Sequence, residues 1–131
     1  MRFTIDRLDH LVLTCADVET TASWFQRVLG MEREAFGAQR RTALKFGGQK
    51  INLHQHGAEF KPNAAAAAPG TADLCFITAV RPKDVVAHLQ GCGVAIEEGP
   101  VERTGALGPM NSVYCRDPDG NLVEIASYLA G

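Results

Sequence analysis

The sequence predicts an α+β domain made of two copies of one module, each reading strand, helix, then several strands. An internal echo is the first sign. A shift of 63 places sets His10-Leu11-Val12-Leu13-Thr14 on Asp73-Leu74-Cys75-Phe76-Ile77, and Leu29-Gly30-Met31 on Cys92-Gly93-Val94. Towards the end of each half the shift grows to 70, where Ile51-Asn52-Leu53-His54 meets Asn121-Leu122-Val123-Glu124. The second sign is one amphipathic helix per half, and the third is a set of short apolar runs after each helix. The 131 residues suit a single domain. Its modules span about residues 5–58 and 71–129, with a linker over about 59–70.

Each element has a local cause. Asp17 is a helix N-cap, Val18, Ala22, Phe25, Val28 and Leu29 form one apolar stripe, and Gly30 provides the left-handed stop. In the second half Pro82 suits a first helical turn, Val85, Val86 and Leu89 make the apolar face, and Gly91-Cys92-Gly93 ends it. Strands are expected around Arg41–Phe46, Lys50–Gln55, Val94–Glu98, Ser112–Cys115 and Leu122–Ser127. Gly47-Gly48 and Asp117-Pro118-Asp119-Gly120-Asn121 read as hairpin turns. In the linker, the five alanines between Asn63 and Pro69 favour helix, but the flanking prolines favour a loop or one short turn.

Composition narrows the function. Apolar residues are 46% and charged residues 21% of the chain, ordinary values for a globular protein. The net charge is −2, and the densest basic cluster is only Arg40-Arg41, which argues against a nucleic-acid surface. There is no N-terminal apolar leader and no apolar run approaching the roughly 20 residues of a membrane span, so the expected compartment is the cytoplasm. Cys15, Cys75, Cys92 and Cys115 lack any CxxC pairing, and three of them are expected as buried free thiols.

The candidate site comes from strand alternation. Leu11 and Leu13 share the face that packs under a helix, so His10 points the other way. The same split sets Asp73 against Leu74 and Phe76, His54 against Ile51 and Leu53, and Glu124 against Val123 and Ile125. Four ionisable side chains aimed at one concavity are costly unless paired or bound to a cation. Plainer roles stand beside this reading. Each histidine alone could be a satisfied core or surface group, Glu124 a cross-strand partner of Arg116, and Asp73 the cap of a turn after Gly70. His56 is a rival ligand at the sheet edge, and His88 lies outside the apolar stripe of its helix as solvated surface.

These residues resemble the vicinal oxygen chelate superfamily, which includes glyoxalase I, fosfomycin- and bleomycin-resistance proteins and extradiol dioxygenases. The most specific stretches are Leu8 to Thr14, Trp24-Phe25 to Met31, and Arg116-Asp117-Pro118-Asp119-Gly120-Asn121-Leu122-Val123-Glu124. Lys50 to His54 and Glu98 to Gly105 look like the subgroup of glyoxalase-domain-containing protein 5. The resemblance implies two βαβββ modules forming a cupped sheet around one metal site. Its ligands come from the first and last strands of each module, here His10, His54, Asp73 and Glu124. Glyoxalase I usually has a carboxylate where His54 stands and a histidine where Asp73 stands, so the second pair is exchanged. Asp73, with its short stem, is the ligand expected to reach the metal only through water. The family's frequent pairing of four modules implies a homodimer.

A divalent ion in such a set, Zn, Ni, Co, Fe or Mn, would act as a Lewis acid on adjacent substrate oxygens. Glu124 is the expected base, with Asp73 second. Arg103, read in a loop from Gly99 to Pro109, either clamps a substrate anion with the Thr104 hydroxyl or is a solvated arginine. Tyr128 is expected to line the cup, and Trp24 either lines it or packs in the core. The leading expectation is a metal-dependent lyase, isomerase or small-molecule transferase. A non-catalytic binder of the bleomycin-resistance type is the second, and an extradiol-type dioxygenase the third.

Overall fold

The computed structural model describes residues 1–129. The chain divides into two compact units, Met1–Ala68 and one that begins at Pro69. The first contains β1 (His10–Cys15), α1 (Val18–Leu29), β2 (Glu32–Phe36), β3 (Arg41–Phe46) and β4 (Gln49–Gln55). The second contains β5 (Asp73–Ile77), α2 (Pro82–Gly91), β6 (Glu98–Gly105), β7 (Gly108–Arg116) and β8 (Leu122–Tyr128). Both units are thus βαβββ modules. Their sheets have matching orders, β1-β4-β3-β2 and β5-β8-β7-β6.

Local chemistry accounts for α1. The Asp17 carboxylate accepts from the Thr20 N–H at 3.2 Å, and Gly30 closes the helix at φ 66°. Ala22, Phe25 and Val28 are buried on its inner face with Leu13, Leu44, Ile51 and Leu53. Burying a side chain the size of Phe25 contributes about 1.5–3 kcal/mol. Trp24 is buried too and meets Phe25 edge-on, so it is packing rather than site lining. In α2, Pro82 occupies the first turn, and Val85 and Leu89 pack inward. Gly47 and Gly48, both at positive φ, make the two-residue turn between β3 and β4.

Three expectations need correction. The stretch from Gly99 to Pro109 is not a loop: β6 pairs with β7 through Gly105↔Gly108, and Arg103 lies on a strand. Its alternation was hidden because β6 is a sheet edge with its outer positions in water and a register shift between Glu98 and Val101. The strand expected over Val94–Glu98 therefore begins only at Glu98, and the edge strand β2 was not foreseen. Of the cysteines, only Cys15 and Cys115 are buried, while Cys92 is half-buried and Cys75 is exposed. Cys75 shares its strand face with Asp73, away from the apolar layer.

Side-chain amides set the strand registers. In the first unit Gln49 donates to the Leu8 carbonyl at 2.8 Å and Gln55 to the Ala16 carbonyl at 2.6 Å, tying both ends of β4 to β1. In the second, the Asn121 carbonyl oxygen accepts from the Ala72 N–H at 2.9 Å. Asn121 is itself held by buried Asp117, whose carboxylate accepts from the Asn121 backbone N–H at 2.9 Å and its side-chain amide at 2.8 Å. The Asp117-to-Asn121 motif is thus the pin that starts β8 opposite β5.

Candidate functional site

The parallel pairs β1–β4 and β5–β8 carry the expected site residues. In the first, His10 lies opposite Lys50, Val12 opposite Asn52 and Thr14 opposite His54. In the second, Asp73 lies opposite Leu122 and Cys75 opposite Glu124. His10, Asn52 and His54 therefore share one face of their sheet, and Asp73 and Glu124 share the corresponding face of theirs. Each face lies opposite the apolar layer that meets the helix, as the alternation predicts.

The register also moves one correspondence. His10 to Asp73 is an offset of 63 residues, whereas their partners Lys50 to Leu122 are offset by 72. The counterpart of Glu124 is then Asn52, not His54, which lies two residues further along. With about 3.3 Å of rise per residue, Asn52 is offset from His10 by roughly 7 Å along the strands and His54 by roughly 13 Å. Asn52 was missed because the shift of 70 was read from apolar letters, and only the backbone pairing distinguishes 70 from 72.

In the first unit, Asn52 and His54 are 8% and 6% exposed, and Asn52 Oδ1 and His54 Nδ1 have no hydrogen-bond partner among the described residues. Unpartnered polar atoms at this depth cost on the order of 1–3 kcal/mol each. Burial, and then the charge of Arg41, hold the His54 imidazole below its usual pKa, against a weaker opposing effect of Glu59. His10 is exposed, and its Nδ1 meets the Asp9 carboxylate at 2.8 Å. A histidine anchored to a carboxylate through one ring nitrogen leaves the other for a ligand.

The second unit's face is hydrogen-bonded within itself. Ser112, fully buried, donates from Oγ to Glu124 Oε2 at 2.5 Å. Arg103 donates to the Tyr114 hydroxyl at 3.2 Å and to Glu98 at 3.0 Å. Cys75 is exposed as a residue, but partial desolvation of its thiol, and then the neighbouring Glu124 charge, push the thiol up to about 11, so it stays protonated near neutral pH. Tyr128, opposite Met110, faces the same way as Glu124, and its hydroxyl accepts from the Leu107 N–H at 3.1 Å. Arg103 and Thr104 are neighbours on one strand and point to opposite faces, so they do not form a joint clamp. Arg116 pairs with Glu97 at 2.9 Å rather than with Glu124. His56 is exposed beside Glu59 at 3.5 Å, and His88 on α2 approaches Cys92, which caps that helix, at 3.6 Å. Among the described residues no three His, Cys, Asp or Glu side chains form a group able to hold a metal ion.

Two consecutive βαβββ units, each with polar side chains on the sheet face turned from its helix, define the fold class. The profile of the Glyoxalase/Bleomycin resistance protein/Dioxygenase superfamily matches residues 7–125, and the chain belongs to that family. It is 54% identical over 129 residues to virulence protein STM3117 of Salmonella typhimurium, covering 98% of this chain and 89% of that one. The crystal structure of that protein superposes with a TM-score of 0.94, over 97% of this chain and 100% of the other. The glyoxalase domain-containing protein RDO1 of Mycosarcoma maydis is 51% identical over 127 residues, 97% of this chain and 71% of its own. More distant structures share the fold: lactoylglutathione lyase of Agrobacterium tumefaciens at 20% identity and TM-score 0.71, over 94% of each chain. FosX of Listeria monocytogenes, a fosfomycin resistance protein complexed with Mn(II), matches at 18% and 0.65, over 96% of this chain and 93% of that one. Among the described residues no helix is long and apolar enough to cross a membrane.

Proposed function

We propose that the chain is a metal-dependent small-molecule enzyme of the glyoxalase type, a lyase, isomerase or small-molecule transferase working in the cytoplasm as a homodimer. The observation that carries this reading is the pair of donors at matching register positions on each sheet face: His10 with Asn52, and Asp73 with Glu124. The donor chemistry fits a divalent ion. Asn52 Oδ1 is a buried acceptor without a donor among the described residues, and the Asp9 contact engages His10 Nδ1, leaving Nε2 to a ligand. Imidazole nitrogen with amide and carboxylate oxygen suits Zn, Ni, Co, Fe or Mn. Two donors per face fall short of a complete coordination shell, so an ion held there would need further donors. His54, two residues past Asn52, is the alternative imidazole in the first unit.

A divalent ion held by such donors would supply Lewis acidity to a substrate oxygen. The chain's own residues supply the rest. Glu124 is held through one oxygen by Ser112, which orients the other to take a proton from a substrate carbon or hydroxyl. Asp73, on the same face, is the second candidate base. Arg103 and Tyr128 line that face for a substrate anion and hydroxyl, and Thr104, on the opposite face, does not contribute.

Metal analysis of protein purified without added metal tests the reading. About one divalent ion per chain is expected, lost in His10→Ala and Glu124→Ala variants with unchanged circular dichroism. Asp73→Ala should weaken metal binding less than Glu124→Ala, because its shorter stem suits a water-bridged contact. Unchanged metal in both His10→Ala and Glu124→Ala would sink the site. Stoichiometric metal without turnover of hemithioacetal or epoxide substrates would favour a binder, as the structural likeness to TnmS3, an antibiotic binding protein, also would.

A further inference from the structure

We infer that Arg41 and His54, mounted on the ring of Phe60, form an anchor for the carboxylate of a small-molecule ligand. The inference stands on the first unit alone and goes beyond the divalent-ion reading. His54 is 6% exposed, and its Nδ1 is buried without a partner among the described residues. Its ring meets Phe60 edge-on, with centroids 5.6 Å apart and planes at 71°. The Arg41 guanidinium lies 4.0 Å from the centroid of the same Phe60 ring. Continuing the β3–β4 pairing one step past Thr42↔Leu53 brings Arg41 opposite His54, so both side chains emerge on one face.

The charges around the pair have other partners. Glu59 accepts from the Gly57 N–H at 3.2 Å and lies 3.5 Å from His56. Glu34 pairs with Lys45 at 3.4 Å. Arg41 has no carboxylate within ion-pair distance among the described residues, and the next cation on the face, Lys50, rests 3.7 Å over Phe36. A half-buried guanidinium without a carboxylate among the described residues, on the same face as an imidazole whose buried Nδ1 is unpartnered there, fits one species: a planar oxyanion. Guanidinium offers two parallel N–H groups matched to carboxylate, and the imidazole adds a third donor in the tautomer with Nδ1 protonated. Phe60 holds the guanidinium through its ring face and so limits the rotamer freedom lost on binding.

The test uses the full chain stripped of metal with a chelator, so that a carboxylate cannot bind through an ion. Acetate and succinate are titrated while the His54 ring nitrogens are followed by long-range proton–nitrogen correlation, with inorganic phosphate and methylammonium as parallel arms. The expected result is saturable binding of the carboxylates at about 1–10 mM, with Nδ1 moving to its protonated position. Arg41→Gln should weaken this at least about tenfold, and Phe60→Leu by less. A His54 signal that ignores carboxylate, an Arg41→Gln variant that binds as tightly as the parent, or preferential binding of phosphate would each overturn the proposal. A metal-free protein that fails this test while the native form keeps its metal would leave the divalent-ion site standing, and the reverse would leave the anchor standing.

Discussion

The two units share one strand order and one chain path, yet differ in how the polar side chains on the sheet face turned from the helix are paired. In the second, Ser112 satisfies Glu124, Arg103 bridges Tyr114 and Glu98, and Asp117 is matched donor for acceptor by Asn121 and Asp119. In the first, Asn52 Oδ1 and His54 Nδ1 are buried without a hydrogen-bond partner among the described residues, while Arg41 lies over the Phe60 ring. The face of the second unit is hydrogen-bonded within itself, whereas the face of the first leaves two buried polar atoms unpaired among the described residues. Polar groups buried and paired stabilise a structure, whereas those buried and unpaired destabilise it until something binds. The contrast makes the first unit the one whose stability should respond to small molecules.

The largest effect is expected at Asp117. Asp117→Ala strips partners from the Asn121 and Asp119 N–H groups and frees Asn121, which holds β8 to β5. Urea unfolding should show a loss of about 2–4 kcal/mol, the range for removing buried partners from a network. A loss below about 0.5 kcal/mol would mean that the turn is held by backbone alone and that the second unit is less tightly paired than described.

At Asn52 the sign should reverse. Replacing a buried amide whose Oδ1 has no partner among the described residues with a β-branched apolar side chain in mid-strand removes a desolvation cost, so Asn52→Val should be neutral or up to about 1 kcal/mol more stable in metal-free protein. The same variant should bind divalent metal more weakly. A clear loss of metal-free stability would show that Asn52 serves the fold, and the contrast between the units would fail.

The smallest effect belongs to an exposed pair in the first unit. Glu19 receives both Arg33 guanidinium nitrogens at 2.6 Å, and that bond holds its carboxyl below the usual range. A carboxylate with a depressed folded pKa adds stability at neutral pH that is lost as pH falls through that folded value. Glu19→Gln should therefore be slightly less stable than the parent at pH 7, and the two should converge on acidification. Unfolding midpoints from neutral to acidic pH decide it; parallel curves would show that the pair contributes nothing, as many exposed ion pairs do.

The sequence by itself determined the features whose causes lie within a few residues. Asp17 and Gly30 bracket α1, Gly47-Gly48 turn β3 into β4, and alternation alone assigned His10, His54, Asp73 and Glu124 to the faces turned from the helices. Tertiary structure decided what depends on pairing between distant strands. An offset of 72 instead of 70 between β4 and β8 keeps every residue on its face, because the side-chain period is two, and so leaves no trace in apolar patterning. It nevertheless exchanges His54 for Asn52 as the counterpart of Glu124. Likewise β6 has its outer positions in water, so its letters read as a loop until β7 pairs with it and brings Arg103 beside Tyr114. Faces follow from local stereochemistry, whereas rows follow from which amides meet across the sheet.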